Sequence, residues 1–138
     1  MAPRSAGAAA SAAPAVDLGT RESAQALLRT FFRIAEAWQL APRESMTLLG
    51  LRSRSTFHLW KDGRAGPLSR DTLERISYVL GIYKALHILL ASDGAADAWV
   101  RKPNAAPLFG GSSALDRMMS GNVSDLYEVR RYLDAQRG

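Results

Sequence analysis

The 138-residue chain contains no cysteine. That absence removes a disulfide framework, a thiolate metal site and a cysteine nucleophile, and it fits a reducing cytoplasm. Histidine is scarce too. His58 and His87 stand alone, and no carboxylate spacing around them suggests a zinc site. Strand-like alternation is missing, as are Val-, Ile- and Thr-rich segments and any repeat of fixed period. The most apolar stretch, Leu73 to Ala91, is broken by Glu74, Arg75, Lys84 and His87, so it lacks the roughly 18 uninterrupted apolar residues of a membrane span. No GxxxxGK[ST] phosphate loop is present, and no strand precedes Gly110-Gly111. Paired carboxylates, a Ser/His/Asp arrangement and a metal cluster are likewise absent. Asp71 and Glu74 lie three apart, but Arg70 and Arg75 beside them make surface pairing the expectation. The expectation is therefore a non-enzymatic, cytoplasmic protein with no catalytic residue, no metal, no cofactor and no membrane segment.

What is present is helical and basic. The formal charge is +5. Between residues 29 and 64, Arg29, Arg33, Arg43, Arg52, Arg54, Lys61 and Arg64 face only Glu36, Glu44 and Asp62. Such asymmetry points to a nucleic-acid surface. Met1 to Val16 is Ala-, Ser- and Pro-rich and lacks the leucine-like middle of a secretory signal, so a disordered tail is expected. Thr20 can cap a helix to about Gln39, with Leu27, Phe31, Ile34 and Trp38 as its apolar stripe.

Pro42 to Lys61 carries the first functional signal. A short helix from about Arg43 to Leu49 meets Gly50; Leu51 and Arg52 turn; Ser53 caps a second short helix ending near Asp62-Gly63. This is the helix-turn-helix pattern. At 100° per residue, Thr56, Phe57, Leu59 and Trp60 fall on the inward side, and Arg54, Ser55, His58 and Lys61 on the outward side. Arginine can bond a guanine edge bidentately, Ser and His reach bases or phosphates, and Lys acts as a phosphate charge. Arg52 and Arg64 flank the helix. The candidate DNA-binding set is thus Arg52, Ser53, Arg54, Ser55, His58, Lys61 and Arg64. The competing reading is an amphipathic helix pair with a solvated basic face.

Ser69 and Asp71 open the central apolar stretch. Gly81 is expected to end one helix, with a second leaving at an angle through Ile82, Tyr83, Leu86, Leu89 and Leu90. Ala95 to Lys102 forms a short helix carrying Trp99. Pro103 to Ser113 is irregular, held by Phe109, with Gly110-Gly111 turning the backbone. Ser113 and Asp116 form a capping box. Ser124 to Gln136 is a last helix with Leu126, Val129 and Leu133 inward, and Arg130 and Asp134 pair across one turn.

The order of these motifs is specific. LGLRSRSTFHLWKDGRAGPLSRDTLERISYVLGIYKAL (Leu49 to Leu86), DAWVRKPNAAPLFGG (Asp97 to Gly111), SALDRMMSG (Ser113 to Gly121) and VRRYLDAQRG (Val129 to Gly138) resemble the Xre-like antitoxins of the MbcA/ParS group. Those proteins are the partners of RES-domain toxins. Thr56 and Met46 depart from the usual helix-turn-helix pattern. The resemblance implies an all-α fold: an Xre-like helix-turn-helix part and a C-terminal helical toxin-binding part sharing one core. The division is a tail at 1–17, the helix-turn-helix region at 18–80 and the toxin-binding region at 81–138. It implies an antitoxin that neutralises a RES-domain toxin, which degrades NAD or ADP-ribosylates a protein. The C-terminal helix and tail would cover the toxin's active-site entrance. Operator DNA is the second implied partner, bound by a homodimer within a larger toxin–antitoxin complex. Matching the family motif, Trp99, Pro103, Phe109 and Gly110 are expected to hold the loop. Arg101, Asn104, Tyr127, Arg130, Arg131, Asp134, Gln136, Arg137 and Gly138 are the candidate toxin contacts. The alternative is a stand-alone helix-turn-helix regulator without a toxin partner.

Overall fold

Ser69 opens the longest helix by accepting a hydrogen bond from the Thr72 amide at 3.1 Å. Asp71 sits in the first turn and pairs with Arg75 at 2.8 Å. In the computed structural model, which describes residues 21–138, this helix is α4, Arg70–Leu89. The expected Thr20 cap and the 1–17 tail lie outside the described residues. Before α4 come α1 (Arg21–Ala37), α2 (Pro42–Leu49) and α3 (Arg54–Lys61). After it come α5 (Asp93–Ala98), a 3₁₀ turn (Trp99–Arg101), α6 (Ala114–Met118) and α7 (Val123–Arg137). Among the described residues there is no strand, only an isolated antiparallel bridge between Pro103 and Ser113. The fold is all-α.

The expected break at Gly81 does not occur. The helix runs through it for 20 residues, about 30 Å. Glycine within a helix costs roughly 1 kcal/mol relative to alanine. Here the missing side chain leaves room for the guanidinium of Arg130 on α7, which occupies the space a Cβ would take. Close packing of α7 on α4 outweighs the local preference. The division expected between residues 80 and 81 therefore falls inside α4, so both parts of the chain share this helix.

α4 packs against α1, α2, α5 and α7. Its inward residues, Thr72, Ile76, Val79, Ile82, Ala85 and Leu86, are all buried. They join Leu28, Phe31, Trp38, Leu48, Leu49 and Phe57 on one side and Val100, Met118, Leu126, Val129 and Leu133 on the other, in a single apolar cluster. Each of these larger side chains contributes about 1.5–3 kcal/mol by leaving water. The α1 stripe is centred slightly differently from the expectation: Leu28 and Ala24 are buried, and Leu27 is only half-buried. Beyond α4, His87 lies between Asp93 (3.1 Å) and Asp97 (2.9 Å), fastening α5 to the end of the long helix. Among the described residues no helix is long and apolar enough to cross a membrane.

Candidate functional site

The α2–α3 turn is built by two constraints at Gly50. Its φ of 74° lies in the left-handed region, where a side chain is strained. A Cβ there would also come within 2.8 Å of Arg75 Nε. The turn closes as the Gly50 and Leu51 amides donate to the carbonyls of Thr47 (3.1 Å) and Met46 (2.9 Å). Met46 and Thr56, the two departures from the usual pattern, are half-buried. Ser53 then caps α3, accepting from the Thr56 amide at 3.2 Å, and shares a 3.0 Å hydrogen bond with the Ser55 hydroxyl.

All seven residues expected to meet DNA are exposed: Arg52, Ser53, Arg54, Ser55, His58, Lys61 and Arg64. Among the described residues, the cations Arg52, Arg54, Lys61 and Arg64 form no ion pair, whereas Arg75, Arg101, Arg117, Arg130, Arg131 and Arg137 all do. A patch in which cations outnumber the acids Glu36 and Asp62 suits a polyanion. Two further cations share it. Arg29 and Arg33 on α1 line one groove with Phe32, Trp60 and Lys61. The charge count marked these arginines, but nothing in the sequence placed α1 beside α3. One residue differs from the expected inward side: Leu59 is 42% exposed, while Phe57 alone on α3 is buried. A helix of eight residues whose main neighbour is α1 buries a narrow stripe, and Leu59 lies beyond its edge.

The loop after α5 is held by three rings. Trp99 and Tyr132 stack at 6.5 Å, and Phe109 stands edge-on to both, at 5.8 and 5.3 Å. Gly110 and Gly111 take φ of 58° and 95°, turning the chain back so that the Gly111 amide donates to the Asn104 carbonyl at 2.8 Å. Arg117 clamps the same loop through the Leu108 carbonyl (2.8 Å) and pairs with Asp125 (3.0 Å). Ser113 and Asp116 form the expected capping box.

The candidate toxin contacts divide into two groups. Tyr127, Arg131, Asp134, Gln136, Arg137 and Gly138 are exposed along the outer side of α7, whose inner side buries Leu126, Val129 and Leu133. Asp134 is shared between Arg130 (3.5 Å) and Arg137 (3.7 Å), and Glu128 pairs with Arg131 at 3.7 Å. Arg130 is only half-exposed and leans over Gly81. Arg101 and Asn104 lie elsewhere. Arg101 does not project freely: it donates to the carbonyls of Trp38 (2.9 Å) and Gln39 (2.6 Å) and pairs with Glu44 at 3.0 Å. Those carbonyls end α1, where Gln39 has a φ of 56°. Asn104 spends its side-chain oxygen on the Ala106 amide at 2.9 Å. Both are occupied within the fold, and no pattern in the sequence signalled those partners. Among the described residues, no group of three or more His, Asp or Glu side chains is placed to hold a metal ion.

Two family models match successive parts of the chain. Residues 17–81 match the family described as the antitoxin Xre-like helix-turn-helix domain, and residues 85–138 match the antitoxin Xre/MbcA/ParS C-terminal toxin-binding domain. The chain is also 51% identical over 111 residues to the protein described as "Uncharacterized protein y4oB" of Sinorhizobium fredii (strain NBRC 101917 / NGR234), covering 80% of this chain and 84% of that one. No solved structure gives a significant match.

Proposed function

The chain belongs to the Xre/MbcA/ParS antitoxin family, and from that premise we propose that it neutralises a RES-domain toxin in the cytoplasm and represses its own operon. It is an antitoxin with a helix-turn-helix domain and a toxin-binding domain. In the proposed mechanism, α7 and the residues after it cover the entrance to the toxin's active site. The contacts are Tyr127, Arg130, Arg131, Asp134, Gln136, Arg137 and Gly138. A homodimer places two copies of α3 in successive major grooves of the operator, through Arg52, Ser53, Arg54, Ser55, His58, Lys61 and Arg64. The division of labour is 18–80 for DNA and 81–138 for toxin, with Trp99, Pro103, Phe109 and Gly110 shaping the loop and Arg101 and Asn104 bracing it.

The observation that carries this reading is the separation of two exposed polar surfaces by one shared core. Among the described residues, four exposed cations without an ion pair, Arg52, Arg54, Lys61 and Arg64, cluster on and beside α3, whereas Arg130, Arg131 and Arg137 of α7, which packs on α4, are ion-paired. Removing all of α7 is not a usable test, because Val129 and Leu133 would leave the core with it. A stop after Leu133 removes only the exposed residues 134–138. Cells expressing the neighbouring toxin gene should be rescued by the full chain and not by this truncation, with the truncated protein still folded by circular dichroism. Rescue by the truncation would remove residues 134–138 from the neutralising surface. Arg54→Glu combined with Lys61→Glu should abolish a gel shift on the DNA upstream of the operon and leave rescue intact. An unchanged gel shift would remove α3 as the reading helix.

A further inference from the structure

A single exposed leucine is ordinary on a protein surface. Leu59 is informative because of where it stands. It is 42% exposed, one helical turn after Ser55 and next in sequence to His58, so Ser55 and Leu59 form one row along α3. The other exposed residues of this helix are Arg54, Ser55, His58 and Lys61, all polar. The remaining large apolar side chains with comparable exposure, Ile88 and Tyr127, sit on α4 and α7. Among the described residues, no other strongly exposed large apolar side chain sits on α3 beside Leu59. Ser55 and His58 separate it around the helix from Arg54 and Lys61, which with Arg52 make no ion pair among the described residues, so the helix surface as a whole is basic. The occupant favoured by that charge is nucleic acid.

A helix lying in the major groove meets base edges made almost wholly of donors and acceptors. The one apolar group displayed there is the 5-methyl of thymine. We propose that Leu59 is a specificity-determining residue that packs on a thymine methyl in the operator, beside polar contacts from Arg54 and Ser55. This rests on operator binding by α3. It assigns an apolar reading role within a surface otherwise understood through charge, and it selects A·T over G·C at the contacted position.

The test compares two duplexes of the DNA upstream of the chain's own reading frame. One contains thymidine and the other deoxyuridine at every such position, which deletes the methyl groups and keeps base pairing. The full-length protein should bind the uracil duplex roughly three- to tenfold more weakly, since each methyl removed from water is a small but measurable gain. Leu59→Ala should bind the thymine duplex with a similar loss and no longer distinguish the two. Leu59→Met, which keeps an apolar tip, should retain discrimination. Equal binding of both duplexes by the unaltered protein overturns the proposal, as does full methyl sensitivity in Leu59→Ala. Failure of the unaltered protein to bind the thymine duplex at all overturns operator binding by α3, and the leucine contact with it.

Discussion

Gly81 and Arg130 occupy complementary space: a Cβ on the glycine would lie within the guanidinium of the arginine 49 positions later. The arginine approaches the Ser77 carbonyl at 3.4 Å and pairs with Asp134 at 3.5 Å. Gly81→Ala should gain up to about 1 kcal/mol of helix propensity. It should also displace Arg130 and lose those two weak contacts, each worth roughly 0.5 kcal/mol at a partly exposed site. The expected net change is near zero. In an Arg130→Ala background nothing is displaced, and the same substitution should stabilise by about 1 kcal/mol, a few degrees in Tm. Thermal melts of the four proteins check this, and equal effects in both backgrounds would refute the coupling.

Arg101 joins the C-terminal toxin-binding domain to the helix-turn-helix domain through Trp38 and Gln39, just after α1, and Glu44 on α2. Arg101→Ala should cost about 1–2 kcal/mol, discounted because 41% of the side chain is exposed. Arg101→Lys should recover little, since one ammonium cannot serve three acceptors spread like this. Urea midpoints measure both, and full stability in the lysine variant would show that charge alone suffices.

The same contact makes stability pH-dependent. Burial pushes the Glu44 carboxyl up, but the Ala41 amide, the hydrogen bond and charge of Arg101, and the charge of Arg43 together outweigh it and hold the group below its ordinary 4.5. A depressed folded-state value means that Glu44 stabilises the fold fully above the ordinary value. That contribution is lost as pH falls through the lower, folded value. Glu44→Gln should therefore be less stable than the parent at neutral pH, and the difference should shrink in acid, as pH falls below the ordinary 4.5. Urea titrations at the two pH values decide, and a difference that grows in acid would reverse the sign argued here.

Much of this was legible in the sequence because local chemistry set it. Ser53, Ser69 and Ser113 announced three helix starts, Gly50 announced the turn, and Leu126, Val129 and Leu133 announced the inner side of α7. Gly81 misled because its reason lies in Arg130, far along the chain. Leu59 was placed inward because a wheel shows only direction. How wide a stripe gets covered depends on neighbours, and α3 is covered narrowly. Arg101 was expected to project because a charged side chain beside a helix end offers no clue to carbonyls more than sixty residues earlier.

Phe109 carries the irregular loop. It is 6% exposed and stands edge-on to both Trp99 and Tyr132. Phe109→Ala should cost about 3–5 kcal/mol, a large share of the roughly 5–15 kcal/mol that holds a domain together. Tyr132→Phe keeps the ring, and among the described residues its hydroxyl makes no hydrogen bond, so the change should stay within about 0.5 kcal/mol. Denaturation followed by circular dichroism measures both. A mild Phe109→Ala would mean that Arg117 and the glycine turn hold the loop without the rings.

The unpaired cations around α3 should announce themselves in salt dependence. Each phosphate neutralised by a Lys or Arg steepens the fall of log binding constant with log salt by about 0.9. Arg64 flanks α3, is exposed and makes no ion pair among the described residues, so it is suited to a phosphate and not to a base edge. Arg64→Ala should reduce the slope by about one for each bound copy and weaken operator and unrelated DNA alike. Leu59→Ala should do the opposite: keep the slope, because no counterion is released by an apolar contact, and lose affinity only where thymine is read. Binding isotherms across a salt series on both DNAs separate the two. If Arg64→Ala left the slope intact while changing sequence preference, Arg64 would be the base reader and the register of α3 in the groove would have to shift toward its C-terminal end.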